Sequence, residues 1–572
     1  MINVTRAHVA RLDDHLVSAN GVANESRVDR ALLTVASVIV LGSIMSSLDV
    51  TVVNVAINTL ASKFHTTLTT IQWVATGYTL ALATVIPLSG WLADRFGTKR
   101  LYMGAIGLFL TGSALTGLSS STAELIAFRV LQGVGGGLIM PTGMTILTRA
   151  AGPQRIGRVM GILGVPLLLG PILGPVLGGF LVTNVSWRWI FYLNLPIGIA
   201  AIGLAQRILP RDVPQRQQHL DFAGFLLASP GLALVIFGLA ETRSAGGFAS
   251  ALVLGPLLAG LGLLGAFCWH ALHTRDPLLD LRLFANRTFA TSAVTLTLVA
   301  ISVFGSLLLL PLYFQAVRGE TALRSGLLLV PQGVAAALSM TLAGRLSDRT
   351  GPGRIVPFGL AAVLGAVLWL TQIRAHTPYL AITVDLFVFG LGMGFVLMPT
   401  FSGAMQTMRR EAVSRGTPLL NILQQTGSSI GTAVLSVILA SALKSELGAS
   451  GNAGIGGASH LPASVHAAVA SKMASAFGQT WWWAAGFLGA AFTASLLLPR
   501  TKPALAGETK TPLVPSSRDY PGCRTECEHV RQSRAPRRSR AGVARAAERP
   551  RGRGDRARER DERQTMTPGG GT

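Results

Sequence analysis

An all-α integral membrane protein is the fold class this sequence predicts, and three observations predict it. Half of the 572 residues are hydrophobic and only 13% are charged, with a mean hydropathy of +0.49; soluble domains carry about a quarter charged residues. The apolar residues gather into fourteen stretches of the length a spanning helix needs, about 20 residues each. One loop motif also occurs twice, at corresponding places among those stretches, which points to a duplicated chain.

Residues 1–30 are polar, and the first apolar run after them is too long for the core of a cleaved signal peptide. The expected spans then run over 31–56, 71–93, 101–119, 124–147, 158–182, 189–209 and 221–241. They continue over 249–270, 291–313, 325–344, 355–373, 379–402, 417–442 and 480–499. After the second comes GWLADRFGTKR (90–100), and after the tenth GRLSDRTGPGR (344–354); both read G-x-L-x-D-R-x-G-x-x-R. The repeat divides the chain into an N-terminal six-helix bundle (31–209), a linker with an inserted helix pair (210–290) and a C-terminal six-helix bundle (291–500).

Each copy has a physical reading. Gly90 and Gly344 allow two helices to approach closely. Asp94 with Arg95, and Asp348 with Arg349, can pair across a short turn, and an acid near the next helix start suits its dipole. Gly97, Lys99 and Arg100 complete the first copy, and Gly351 and Arg354 the second. Such a cluster would latch helix ends together in one state and release them in another; the plainer reading is loop charge that only orients the chain.

The net charge of +23 is unevenly spread. With residues 1–30 placed in the cytoplasm, that segment and the even-numbered gaps hold 22 Lys/Arg, the odd gaps 8, Arg129 lies within a span, and 18 follow from Arg500 onward. This is the positive-inside pattern, which puts both termini in the cytoplasm. The excess charge therefore orients the chain in a lipid bilayer and needs no nucleic-acid partner. From Lys502 the tail, 501–572, holds 17 Lys/Arg against 9 Asp/Glu with almost no large apolar residues, the composition of a disordered segment. Tyr520 is the only aromatic there, so specific nucleic-acid recognition is not expected.

Asp49 is the one ionisable residue between Arg30 and Lys63. An ionisable group inside a span is expensive and marks a functional site by default. Gly42, Met45, Ser46, Val53 and Ala56 flank it at helical spacing as a mostly small face, and Ser47, Thr51, Asn54 and Asn58 form a second, polar stripe. A helix polar on two faces belongs against protein or a cavity, not lipid. Arg129 is the only basic residue well inside a span, and a buried guanidinium must be paired. Gly170, Pro171, Gly174, Pro175, Gly178 and Gly179 crowd ten residues of the fifth span, a composition that bends a helix and admits close contact. Asp385 reads equally as a cavity group or an outer-vestibule group, and Asn421, Gln424 and Gln425 equally as cavity lining or interhelical hydrogen bonds. Trp73 and Tyr78 could stack on cationic ligands, whereas Trp481 to Trp483 suit an interfacial belt. Cys268 is expected to pack within its helix, and Cys523 and Cys527 lack the second pair of a metal site. No P-loop and no H-E-x-x-H occur, so neither ATP-driven transport nor proteolysis is expected.

Read together, these motifs resemble the major facilitator superfamily, in the 14-span drug:proton antiporter group of EmrB/QacA type, over about residues 30–500. LDVTVVNVAI (48–57), GWLADRFGTKR, RVLQGVGGG (129–137), GPILGPVLGG (170–179) and WRWIFYLNLPIG (187–198) carry the resemblance in order. Asn58 departs from it, where many relatives have proline. The resemblance implies two bundles rocking about a central site near the membrane midplane, no cofactor, and protons and a small molecule as partners. It further implies that Asp49 exchanges the proton, that Arg129 tunes it, and that the Gly/Pro-rich fifth span forms a leak-tight interface suited to export. The expected function is proton-coupled export of amphipathic or cationic small molecules, drugs among them, across the cytoplasmic membrane. The alternatives are a dedicated exporter of one endogenous metabolite, and a non-transporting sensor or scaffold acting through the basic tail. Nothing in the residues sets an oligomeric state.

Overall fold

Every regular element among the described residues is a helix, as expected where lipid leaves backbone groups no partner but their own. The structure, a computed structural model, describes residues 30–152, 155, 170, 173–174, 176–210, 219–242, 247–406, 408, 413–447 and 463–500. The expected tail, 501–572, lies outside them.

The first group of helices is α1 (Arg30–Lys63), α2 (Leu68–Val85), α3 (Leu88–Phe96), α4 (Thr98–Leu118), α5 (Thr122–Ala151), α6 (Trp189–Tyr192) and α7 (Asn194–Ile208). Next come α8 (Phe222–Glu241), α9 (Ala251–His273) and a 3₁₀ turn (Leu281–Ala285). The last group is α10 (Arg287–Ala316), α11 (Ala322–Leu328), α12 (Val330–Thr350), α13 (Pro352–Leu370), α14 (Tyr379–Gln406), α15 (Val413–Leu447) and α16 (Ala463–Ser495). Caps start several of them: the side chains of Thr67, Ser121, Asp221, Ser250, Asn286 and Thr321 accept from N–H groups of the first turn.

Eleven helices among the described residues are long and apolar enough to cross a membrane, and twelve if Thr70–Val85 and Leu88–Phe96 count as one span. That pair occupies the expected second span, 71–93. It bends by 58° beside Pro87, where the ring deletes a helical donor. The expected fifth span, 158–182, falls largely outside the described residues, as do Pro171 and Pro175. The expected fourteenth, 480–499, falls mostly in α16, a 33-residue helix that is not among the eleven.

The two copies of the loop motif share one backbone shape. Gly97 closes α3 at φ 85°, ψ 146°, and Gly351 closes α12 at φ 83°, ψ 155°. Each glycine N–H donates to the carbonyl four residues back, at 3.0 Å, from Ala93 and from Ser347. This region of φ favours glycine, so the duplicated glycine has a duplicated geometric cause.

Within the first group, α1, α2, α4, α5 and α7 pack on one another; within the last, α10 and α12 to α16 do so. The hairpin of α8 and α9 lies against α2 on one side and α15 on the other, and α3 and α5 also meet α15. Two expectations change. Trp481 is no belt residue: it is fully buried, 6.2 Å from the Tyr313 ring and 6.0 Å from Phe477, while Trp482 and Trp483 are exposed. Consecutive helical side chains diverge, so only one of the three can face the bundle. Cys268 is exposed rather than packed, because α9 touches α8 and the 3₁₀ turn and little else.

Candidate functional site

The two charges singled out inside spans meet. Arg129 on α5 donates through Nη1 to Asp49 Oδ2 on α1 at 2.6 Å, and each residue is 1% exposed. The other carboxylate oxygen, Oδ1, accepts from Gln132 Nε2 at 2.9 Å and from Asn194 Nδ2 at 3.0 Å. Gln132 closes a triangle, because its Oε1 accepts from Arg129 Nη1 at 2.8 Å. Arg129 Nε donates to the Val74 carbonyl of α2 at 3.2 Å. The Tyr78 ring lies 4.2 Å from the guanidinium carbon and the Phe191 ring 5.8 Å, a cation–π arrangement.

Helices α1, α5 and α7 therefore meet at one carboxylate, and α2 and α6 at its guanidinium partner. A buried ion pair is tolerable only when spare donors and acceptors are also satisfied, and here the amides of Gln132 and Asn194 do that. Behind the carboxylate, Asn194 Nδ2 also donates to Ser113 Oγ of α4 at 3.1 Å. Gln132, Asn194 and Ser113 were not singled out from sequence. The signal for Gln132 is its position three residues after Arg129, one turn along the same face. Asn194 sits within WRWIFYLNLPIG with no charge to mark it, and Ser113 is an ordinary small residue of an apolar helix.

The Gly-rich fifth span reaches the same helix. Gly170 and Gly174 are so close to α1 that a Cβ would fall 2.0 Å from Ser47 Oγ and from Thr51 Oγ1, and Gly178 sits over Val52. Thr51 Oγ1 donates to the Gly170 carbonyl at 2.9 Å. Gly179, by contrast, has open space around it, and Pro175 lies outside the described residues.

At the motif end of the helices, Asp94 is buried between the two halves. Arg149 Nη2 donates to its Oδ1 at 3.0 Å and Ser414 Oγ, from α15, to its Oδ2 at 2.9 Å. Gly90 lies under the Ser414 carbonyl, 2.5 Å from where a Cβ would be. Lys99 Nζ donates to the carbonyls of Gln206 and Leu209 at 2.7 and 2.8 Å, closing the end of α7. Arg95 is half-buried and Arg100 exposed. In the second copy Gly344 is buried and Arg354 exposed, and the side chains of Asp348 and Arg349 lie outside the described residues.

The cavity candidates separate. Trp73 stacks on Phe237 of α8 at 5.7 Å, and Tyr78 serves Arg129. Asn421 reaches across to α5, its Nδ2 3.5 Å from Met144 Sδ, and Gln424 and Gln425 are half-buried one turn on. Asp385 is buried in α14. The side chain of Asn54 lies outside the described residues.

Residues 39–432 match the family model of the Major Facilitator Superfamily. The chain is a major facilitator superfamily protein. This facilitator is 46% identical over 418 residues, 72% of its length and 77% of the relative's, to a protein of Mycobacterium tuberculosis (strain ATCC 25618 / H37Rv) named multidrug resistance protein B homolog. It is 30% identical to the lincomycin resistance protein LmrB of Listeria monocytogenes serovar 1/2a (strain ATCC BAA-679 / EGD-e), covering 69% of this chain and 83% of that one. Its fold is similar to the human organic anion transporter MFSD10, with a TM-score of 0.54 at 16% identity, over 82% of the facilitator and 100% of that chain. The proton:xylose symporter XylE gives a TM-score of 0.51 at 12% identity, over 80% and 95%.

Proposed function

We propose that this facilitator exports amphipathic or cationic small molecules, drugs among them, in exchange for protons, by alternating access across the cytoplasmic membrane. The single observation that carries the proposal is the buried Asp49–Arg129 pair, joined at 2.6 Å and closed by Gln132. A carboxylate held only by a cation and neutral amides can take a proton at the cost of one ion pair, and no metal or nucleotide is needed. Protonation from outside would release Arg129 from Asp49 and favour return; proton loss to the cytoplasm would restore the pair. The relatives named for multidrug and lincomycin resistance support drugs as substrates.

In this reading fourteen spans form two six-helix bundles, 31–209 and 291–500, with the pair α8–α9 inserted between them and both termini cytoplasmic. The polar face of α15 that carries Asn421, Gln424 and Gln425 turns toward α5, where a substrate cavity between bundles would lie. The motif end would be the cytoplasmic gate, closed here by Asp94 and Ser414.

Inverted-pH vesicles test it. Dye efflux driven by an imposed pH gradient should be lost in Asp49→Asn, while the variant, less stable because Arg129 loses its counter-charge, still folds and binds dye. Gradient-driven efflux equal to wild type would remove Asp49 from the coupling role.

A further inference from the structure

One part of the buried network reaches beyond the Asp49–Arg129 pair to a further helix. Asn194 donates through a single nitrogen to two acceptors, Asp49 Oδ1 at 3.0 Å and Ser113 Oγ at 3.1 Å. Ser113, on α4, donates its own hydroxyl to the Phe191 carbonyl at 2.9 Å. All three side chains are buried, Ser113 at 0% exposure and Asn194 at 3%. The direction of this chain is therefore set. Because the Ser113 hydrogen is committed to a carbonyl, Ser113 can only accept from Asn194, and the amide must point its NH₂ toward the carboxylate.

The two oxygens of Asp49 are thus unequal. Oδ2 has Arg129, a charged donor that can leave toward Gln132 Oε1 and the Val74 carbonyl, to which it is already bonded. Oδ1 has Gln132 and Asn194, and Asn194 cannot turn away without leaving its own NH₂ unpaired in the interior. The titratable or charged groups of the described residues that face Asp49 are Arg129 from α5 and, behind it, Tyr78 from α2; α4 and α7 present only the neutral Ser113 and Asn194.

We infer that Asn194, aimed by Ser113, is a positioning residue for proton coupling: it pins Oδ1 of Asp49 so that Oδ2 exchanges Arg129 for the proton. The inference rests on the proposal that Asp49 carries the proton. It extends the coupling machinery to α4 and α7, which contribute no charge to it.

The test compares Asn194→Leu, Ser113→Ala, the double variant and Asn194→Gln in vesicles, reading the pH of half-maximal dye exchange. A hydrogen bond to an ionised group favours the ionised form. Its loss should tighten the hold on the proton on the order of tenfold and move the midpoint of Asn194→Leu upward. Ser113→Ala should move it in the same direction by less, the double variant should match Asn194→Leu, and Asn194→Gln should recover part of the shift. Melting temperature and dye affinity report folding separately. A folded Asn194→Leu with the wild-type profile overturns the inference, as do additive shifts in the double variant. If Asn194→Leu does not fold, Ser113→Ala decides alone, and an unchanged profile overturns the proposal. Asp49→Asn runs alongside: pH-dependent exchange surviving in that variant would sink the parent reading, whereas its loss with normal Asn194 and Ser113 variants would sink only this one.

Discussion

Arg129 is tolerated in the interior because it is surrounded by a carboxylate, an amide oxygen, a backbone carbonyl and an aromatic face. Removing it leaves Asp49 buried beside neutral donors only. Arg129→Ala should therefore lose about 3–5 kcal/mol of stability, the usual cost of orphaning a buried charge. Combining Arg129→Leu with Asp49→Leu should recover much of that loss while transport stays absent; thermal unfolding in detergent beside vesicle efflux checks both. A double variant no more stable than Arg129→Ala would show that the pair is not the source of the loss. The two charges were legible from sequence because a charge in a span has a large cost and must have a reason. Gln132, Asn194 and Ser113 were not, since a neutral amide or hydroxyl fits a helix interior for many reasons and only coordinates show which acceptor it serves.

Single helices carry their own consequences. Asp221 caps α8, accepting from Gly224 N–H at 2.8 Å, Leu278 N–H at 3.1 Å and the His270 ring at 2.8 Å. Burial works against its charge most strongly, yet these bonds together with His270 hold the carboxyl below its usual range. Because the folded form binds a proton less readily than the unfolded one, this stabilisation is complete above the ordinary carboxylate range and drains away as pH falls through it. Asp221→Ala should lower stability by on the order of 1 kcal/mol at neutral pH, as loss of a cap does. The gap to wild type should narrow toward pH of about 3.5, below the ordinary Asp value of about 3.9. Unfolding temperatures at the two pH values measure it, and a gap that stays constant or widens would contradict the assignment. Most helices were legible because long apolar runs have one stable solution in lipid. The break beside Pro87 was not, because a proline is compatible with either a gentle kink or two helices meeting at 58°.

At the scale of the molecule, α3 and α15 are joined by Asp94 and Ser414 across the two halves. If this end is a gate, covalent closure should stop the cycle. With Cys268, Cys523 and Cys527 changed to serine, oxidising Asp94→Cys/Ser414→Cys should abolish efflux relative to the reduced protein, and reductant should restore it. Full activity of the cross-linked form would mean that the halves need not part there. The duplicated loop drew attention to this end in advance, through the repeated G-x-L-x-D-R-x-G-x-x-R at 90–100 and 344–354. The partner of Asp94 was hidden, because Ser414 comes 320 residues later in the chain and belongs to no motif.

The hairpin α8–α9 touches both halves, and a body in contact with two parts that move apart would have to slide on one of them. On the α2 side it is gripped by a flat aromatic stack, Trp73 on Phe237. On the α15 side it offers Val235 and Leu239 to Ala433 and Ile430, smooth aliphatic surface with no direction to its bonding. If the bundles rock as proposed, the second contact would be the slip plane: the hairpin would travel with the N-terminal half and α15 would glide along it.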